Sequence, residues 1–203
     1  MIELPKYRGI EEAMQDVKTF AHAKGLEKAI GLLPDGRRCF EKEGDATGVN
    51  LPDEFRLVKD LFVIHGHPKM PTELSGADIT VISAMGVAGN MAVSGEDETV
   101  SWSTGIDMKD MNPRSGLAHM MVSAFMNKVQ TAAFRKIDPL IDTRINKANG
   151  EPWDDDDERW VVVAHLVNKV YVKSGFLRDY HVQQGELALK ILNSWLPKIG
   201  DSL

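Results

Sequence analysis

Two histidines, a serine and an aspartate lie within fourteen positions behind an apolar run, and this cluster limits the fold more than any other feature. The apolar run, residues 61–64, leads directly into His65 and His67. Residues two apart on a β-strand face the same way, so these two imidazoles can present nitrogens to one point. A turn after the strand can return Ser75 and Asp78 to that point. Two histidines and one carboxylate leave the fourth position of a zinc ion to water, which is the arrangement of a catalytic zinc site.

The spacing of these residues resembles the core motif of the JAMM (JAB1/MPN/Mov34) metalloprotease family. That family includes zinc-dependent deubiquitinating isopeptidases and many prokaryotic and phage relatives. Its pattern is an upstream glutamate, then H-x-H-P, then S-x-x-D after seven residues counted from the second histidine. Residues 68–74 supply those seven here, and Gly66 stands where many members have serine or threonine. The resemblance implies a JAMM/cytidine-deaminase-like α/β fold, with a mixed sheet flanked by helices.

The family also places a glutamate on the strand that follows the first helix. Apolar residues at helical spacing predict a helix over residues 8–24, and residues 26–33 follow as a strand that ends in a Pro-Asp-Gly turn. Glu27 occupies the family's glutamate position, although this chain has one extra residue before the Gly-Leu-Leu of the strand. Glu41 and Glu43, on the next predicted strand, are the alternatives.

The resemblance implies a role for each residue of the motif. His65, His67 and Asp78 are the expected ligands of Zn²⁺, which lowers the pKa of a bound water to about 7. Glu27 is the expected general base, which takes the proton of that water and passes it to the leaving amine. Ser75 is expected to donate to the oxyanion. Ser75 and Asp78 also match a helix capping box, and both interpretations can hold together.

Composition narrows the classes of protein to which the chain can belong. Its 203 residues are 43% hydrophobic, which supports a real core, and no stretch is long and apolar enough to span a membrane. The N-terminus lacks a signal-peptide pattern and the single cysteine, Cys39, suits a reducing compartment, so we expect a cytoplasmic protein. The net charge of −6 argues against general nucleic-acid affinity.

The pattern along the chain predicts two parts. Residues 1–108 are expected to form the JAMM-like catalytic core, in which the strand that ends at His67 is central and a hairpin turns around residues 95–97. Residues 109–203 are expected to form a helical extension that packs on this core. Its segment 160–172 is rich in valine, which leaves a strand as the alternative. The apolar stripes of the extension can be buried against the core or in a homo-oligomer.

These features predict a zinc-dependent hydrolase that cleaves an amide or isopeptide bond of a protein or peptide substrate. One alternative is a non-enzymatic scaffold or binding protein that keeps a JAMM-like core. Another is a RadC-like protein of DNA metabolism, although Lys69 and Met70 stand where that branch has Ser-Gly. Salt-dependent DNA binding would favour this last alternative.

Overall fold

The structure is a computed structural model that describes residues 2–55, 58, 60–68, 73–106, 116–141, 157–174 and 177–200. The helices are α1 (Ile10–Lys24), a short 3₁₀ helix (Asp53–Phe55), α2 (Gly76–Met85), α3 (Gly116–Ile141), α4 (Asp157–Lys173) and α5 (Glu186–Ile199). The strands are β1 (Lys28–Leu32), β2 (Arg38–Glu43), β3 (Phe62–His67), β4 (Gly89–Ser94), β5 (Val100–Ser103), β6 (Gly105–Ile106), β7 (Leu177–Arg178) and β8 (His181–Gln183).

Six of these strands form one mixed sheet in the order β2-β1-β3-β4-β5-β8. The β3 and β4 strands are parallel, because α2 crosses between them, and the other neighbouring pairs are antiparallel. The predicted α/β class with a mixed sheet and flanking helices is confirmed, as are the central position of the H-x-H strand and the β4–β5 hairpin. The predicted first helix is also confirmed, and it ends at Gly25, which adopts a left-handed backbone conformation.

The alternation of side chains along β3 divides the chemistry of the sheet between its two faces. Phe62 and Ile64 pack with α1 in one apolar cluster, which also contains Met91 of the neighbouring strand. His65 and His67, which lie at the other parity, point to the opposite face. That face also receives α2 and the apolar cluster built from α3, α4 and α5, which reaches the sheet at Ala92. His65 and His67 therefore face the second half of the chain.

Gly66 lies between the two histidines at a point where α1 comes very close to the sheet. A β-carbon at this position would be 2.6 Å from the carbonyl oxygen of Val17 and 3.0 Å from the Ala21 β-carbon. A side chain at position 66 would therefore point toward α1, on the side of β3 opposite His65 and His67. The close approach explains why this chain has glycine there, where the resemblance leads one to expect serine or threonine.

The Gly66→Ser substitution should lower the free energy of unfolding by about 1–3 kcal/mol, because the added atoms must push α1 off the sheet. The change is measured by denaturant unfolding monitored by circular dichroism. Gly48→Ser is the matched control, since nothing lies within 4 Å of a β-carbon at Gly48. Equal stability of the two variants would show that α1 can retreat without cost.

The second part of the chain is not purely helical. The segment 160–172 is helical, which resolves the alternative of a strand, and it belongs to α4. Between α4 and α5, however, the chain forms β7 and β8, and β8 pairs with β5 as the last strand of the main sheet. The β7 strand pairs with β6 in a separate two-stranded sheet. Strands of two and three residues are too short to show a period of two in the sequence, so pairing with β6 and with β5 defines β7 and β8 as strands. The boundary at residue 108 and a separate role for residues 109–203 stay predictions.

Two details of α3 differ from the sequence pattern. A proline inside a helical pattern usually ends or kinks the helix, but helical backbone continues past Pro139 to Ile141. Ala132 continues the helical spacing of Phe125 and Val129 in the sequence, yet it is exposed, and Ala133 is buried with Val129 instead. Neighbouring residues on a helix point about 100° apart. Packing of α3 against α2 and α4 therefore determines that Ala133, and not Ala132, is buried.

Among the helices in the described ranges, none contains a stretch that is both long and apolar enough to cross a lipid bilayer.

Candidate metal centre

The ligand atoms of His65, His67 and Asp78 converge on one point beside the sheet. Both histidines belong to β3, and Asp78 lies in the first turn of α2. The Nε2 atoms of the two histidines are 3.0 Å apart. The Asp78 Oδ1 atom lies 2.9 Å from His65 Nε2, and Oδ2 lies 3.6 Å from His67 Nε2. The three residues predicted as ligands are thus brought together, on one face of the sheet.

These separations fit a tetrahedral zinc ion. Ligands about 2.0–2.2 Å from such an ion lie roughly 3.3–3.6 Å from one another. The observed distances of 2.9, 3.0 and 3.6 Å differ from that range by a few tenths of an ångström at most. Two imidazoles and one carboxylate are also a donor set that zinc accepts, with a fourth position left for water or substrate.

Asp78 is held in place by the start of α2. The Ser75 Oγ accepts from the Asp78 backbone N–H at 3.3 Å, and Ser75 N–H donates to Asp78 Oδ2 at 2.7 Å. This reciprocal pair is the predicted capping box, and it is confirmed. The cap fixes both residues of the S-x-x-D motif at one helix end, so the capping and ligand interpretations describe the same geometry.

Asn90 of β4 connects two of the candidate ligands, although no motif in the sequence marks it as their partner. Its Oδ1 lies 3.2 Å from His65 Nδ1, and its Nδ2 donates to the Asp78 carbonyl at 2.9 Å. Asn90 Oδ1 also accepts from the Met91 backbone N–H at 2.9 Å, so the amide orientation is determined. With a hydrogen on Nδ1, His65 donates to Asn90 Oδ1. The Nε2 lone pair is then directed at the point where the three candidate ligands converge.

Strand parity separates Glu27 from the two alternative glutamates. Ala29 of β1 pairs with His65, and continuing this antiparallel register places Glu27 opposite His67, on the same face. Glu41 and Glu43 pair with residues of the opposite parity on β1, so they face the α1 side. Glu41 is occupied there by Lys28 at 2.8 Å and by Arg38 at 2.9 Å. The extra residue before Gly-Leu-Leu therefore leaves Glu27 at the parity of Ala29, on the face of His65 and His67.

Glu27 is only 9% exposed, and it lines the same cleft as the three candidate ligands. Burial raises its pKa above 4.5, although the positive charges of His65 and His67 act in the opposite direction. Its role as a general base stays a prediction.

The charges at the centre are strongly coupled. Burial alone would lower the pKa of His65, but the charge and hydrogen bond of Asp78, together with Glu27, raise it to about 9. Burial alone would raise the pKa of Asp78, but His65 and His67 hold it well below 3.8. The carboxylates therefore stabilise a positive charge at this point, and a divalent cation can take the place of the proton.

A second polar network, also missed in the sequence, joins the loop before Ser75 to the second half of the chain. Glu73 is 3% exposed, and its carboxylate meets four side chains from beyond residue 160. The partners are His165 (2.8 Å), Asn168 (3.2 Å), Gln184 (2.9 Å) and Tyr180. Asn168 also donates to the Leu74 carbonyl at 2.9 Å. These hydrogen bonds hold the residues just before Ser75 against α4 and the segment around β8.

Comparison of this chain with models of protein families, with curated proteins and with solved structures finds no match. The functional interpretation therefore rests on the chemistry of these side chains and on the resemblance of the motif.

Proposed function

We propose that this protein is a zinc-dependent hydrolase of the JAMM type that cleaves an amide or isopeptide bond. The observation that carries the proposal is the convergence of His65, His67 and Asp78 at distances of 2.9–3.6 Å beside a buried Glu27. A zinc ion held by these residues would polarise the attacked carbonyl and lower the pKa of water to about 7.

Glu27 has the surroundings that a general base needs in this reaction. It lies in the cleft next to the ligands, and its burial raises its pKa toward the range in which a carboxylate can both take and return a proton. The attacking water gives its proton to the Glu27 carboxylate as its oxygen bonds to the carbonyl carbon. Glu27 then returns this proton to the departing nitrogen as the C–N bond breaks.

Ser75 can stabilise the charge that develops on the carbonyl oxygen. Its Oγ accepts the Asp78 N–H, but a hydroxyl has a hydrogen of its own to donate. Because the capping box sets the backbone of Ser75, the hydroxyl is organised before substrate arrives, which is the condition for effective oxyanion stabilisation.

The two alternative functions fit these residues less well. A scaffold does not need a buried glutamate beside an intact ligand set, since an unused buried carboxylate only lowers stability. A DNA-metabolism protein needs cations where the phosphates lie. The charged side chains among the described residues of the cleft, histidines aside, are Glu27, Asp45 and Asp78. An amide-cleaving enzyme is the function in which the three ligands, Glu27 and Ser75 all have a role.

Metal content tests the proposal directly. The purified full-length chain should bind one zinc per molecule, and Co²⁺ in its place should give the intense visible spectrum of a tetrahedral site. His67→Ala should remove this binding, because it deletes a ligand. Asn90→Ala, which keeps every ligand, should weaken zinc binding by roughly 10–100-fold, the usual effect of removing a partner that orients a ligand.

His181→Ala serves as the control. This imidazole stacks on Trp102 of the sheet, with ring centroids 4.1 Å apart, and it is not one of the converging ligands. Removing it should leave zinc binding unchanged. A His67→Ala protein that still holds zinc as tightly as wild type would overturn the assignment of the metal centre.

A further inference from the structure

The metal centre opens into a cleft of about 1060 Å³, which reaches from the sheet to α4. Sites for small ligands typically occupy about 300–1,000 Å³. A cleft at the top of that range holds more than the scissile amide, so its walls also contact groups next to the bond. The character of those walls bears on the class of substrate.

One wall is an apolar stripe of α4. Trp160, Val163, Ala164 and Val167 line the cleft, and their spacing of three, one and three residues places them on one helix face. Val163 and Val167 of this stripe also belong to the buried second-half core, together with Val162 and Leu166 of the same helix, so α4 is anchored along the cleft. The Trp160 ring is held edge-on by Phe134, with centroids 5.1 Å apart and planes at 89°. The stripe is therefore a fixed surface.

A second part of the lining is the segment 45–51 after β2. It contributes Val49 and Leu51, both half-buried, to the lining of the cleft. Backbone hydrogen bonds from Glu27 N–H to the Asp45 carbonyl, 2.7 Å, and from Gly44 N–H to the Glu27 carbonyl, 2.9 Å, tie this segment to the start of β1. Two separate elements, α4 and segment 45–51, thus contribute apolar side chains to the cleft at the metal centre.

The charged residues of the cleft also bear on the substrate, because they disfavour anionic groups. Among the described lining residues, the acidic groups are Glu27, Asp45 and Asp78, and none is lysine or arginine. Hydrogen bonds from Thr47 lower the pKa of Asp45, so its carboxylate stays ionised. An anionic group entering the cleft would meet these carboxylates without a basic side chain in the described walls to pair with.

We infer that the cleft selects amide substrates with an apolar, non-anionic side chain next to the scissile bond, seated between the α4 stripe and segment 45–51. This inference rests on the proposed function, because it uses the metal centre as the fixed point beside which the side chain lies. It excludes phosphorylated and carboxylate-bearing groups at that position.

Three hydroxamic acids test the inference on the zinc-loaded full-length protein by calorimetric titration. Acetohydroxamate occupies a metal alone, whereas 4-methylpentanohydroxamate adds a branched apolar tail and succinic monohydroxamate adds a tail of similar size that ends in a carboxylate. The apolar probe should bind roughly tenfold to a hundredfold more tightly than acetohydroxamate, since its tail is buried against the walls. The anionic probe should bind more weakly than acetohydroxamate.

Variants locate the effect in the walls. Trp160→Ala and Leu51→Asp should each remove most of the advantage of the apolar probe while acetohydroxamate binding stays unchanged. Leu187→Asp is the matched control, because Leu187 is an exposed leucine on α5 and should leave all three affinities as in wild type. Leu51 lies in a loop, so its variant keeps the test valid if the Trp160 variant does not fold.

The outcomes distinguish this inference from the proposed function. Equal affinity for the three probes, or tightest binding of the anionic one, would overturn the apolar cleft and leave the metal centre standing. Failure of all three probes to bind zinc-loaded protein would overturn the open metal centre, and the inference would fall with it.

Discussion

Replacing Glu27 by glutamine should leave zinc binding intact and slow amide cleavage by roughly 10²–10⁴-fold, the usual contribution of a general base. The amide of glutamine keeps the size and most of the contacts of the carboxylate, but it cannot take a proton from water. The measurement compares zinc content and the cleavage rate of the internally quenched peptide that the wild-type protein cleaves fastest. The reduced rate should appear in kcat rather than in KM, because the proton moves only in the transition state.

Glu41→Gln is the control for this prediction. Glu41 lies on the other face of the sheet and pairs with Lys28 and Arg38, so its loss should leave the cleavage rate unchanged. A Glu27→Gln protein that retains the wild-type rate would overturn the assignment of the base. A Glu41→Gln protein that loses the rate would transfer that role to the second strand.

Glu73→Ala should lower the free energy of unfolding by about 3–5 kcal/mol, the cost of breaking a buried charge network by removing one partner. The Glu73 carboxylate is the shared acceptor of side chains from α4 and from the segment around β8, so its removal deprives several buried donors at once. Denaturant unfolding of the full-length chain measures the change. Glu54→Ala, at an exposed position on the 3₁₀ helix, should change stability by less than about 0.5 kcal/mol.

The isosteric variant Glu73→Gln separates charge from shape through pH. Burial would raise the pKa of Glu73, but His165, Tyr180 and Gln184 hold it below its ordinary 4.5. A carboxylate with a lowered folded pKa contributes stability above pH 4.5 and loses it as the pH falls through the folded value. The stability difference between wild type and Glu73→Gln should therefore be largest near neutral pH and shrink in acid. A difference that does not change with pH would show that the charge itself contributes nothing.

The network also bears on how the two parts of the chain depend on each other. Glu73 lies two residues before the capping Ser75, and its partners all come from beyond residue 160. In the Glu73→Ala protein, zinc binding is expected to weaken together with stability, because Asp78 is held by the same loop and helix start. Through these hydrogen bonds, the second part of the chain helps to hold Asp78 at the candidate metal centre.

The sequence alone was sufficient for the features that local spacing controls. The parity of His65 and His67 on an apolar strand, and the S-x-x-D spacing at a helix start, follow from the periods of strands and helices. Those periods correctly placed α1, the β4–β5 hairpin and the capping box. Glu27 was preferred by its place in the chain, and two strand registers then explain why Glu41 and Glu43 cannot reach the centre.

Only the tertiary structure decided the features that depend on residues far apart in the chain. Gln184 meets Glu73 across 111 positions, and His65 meets Asn90 across 25, distances at which no sequence period operates. Nothing local marks Asn90 as a partner of a histidine, because an asparagine inside an apolar strand acquires that role only when β4 pairs with β3. Likewise, β8 is a strand because it pairs with β5. Glycine is needed at position 66 because a β-carbon there would lie 2.6 Å from the Val17 carbonyl oxygen of α1. The local sequence thus determines which side chains the site contains. The contacts that orient those side chains depend on which distant segments folding brings together.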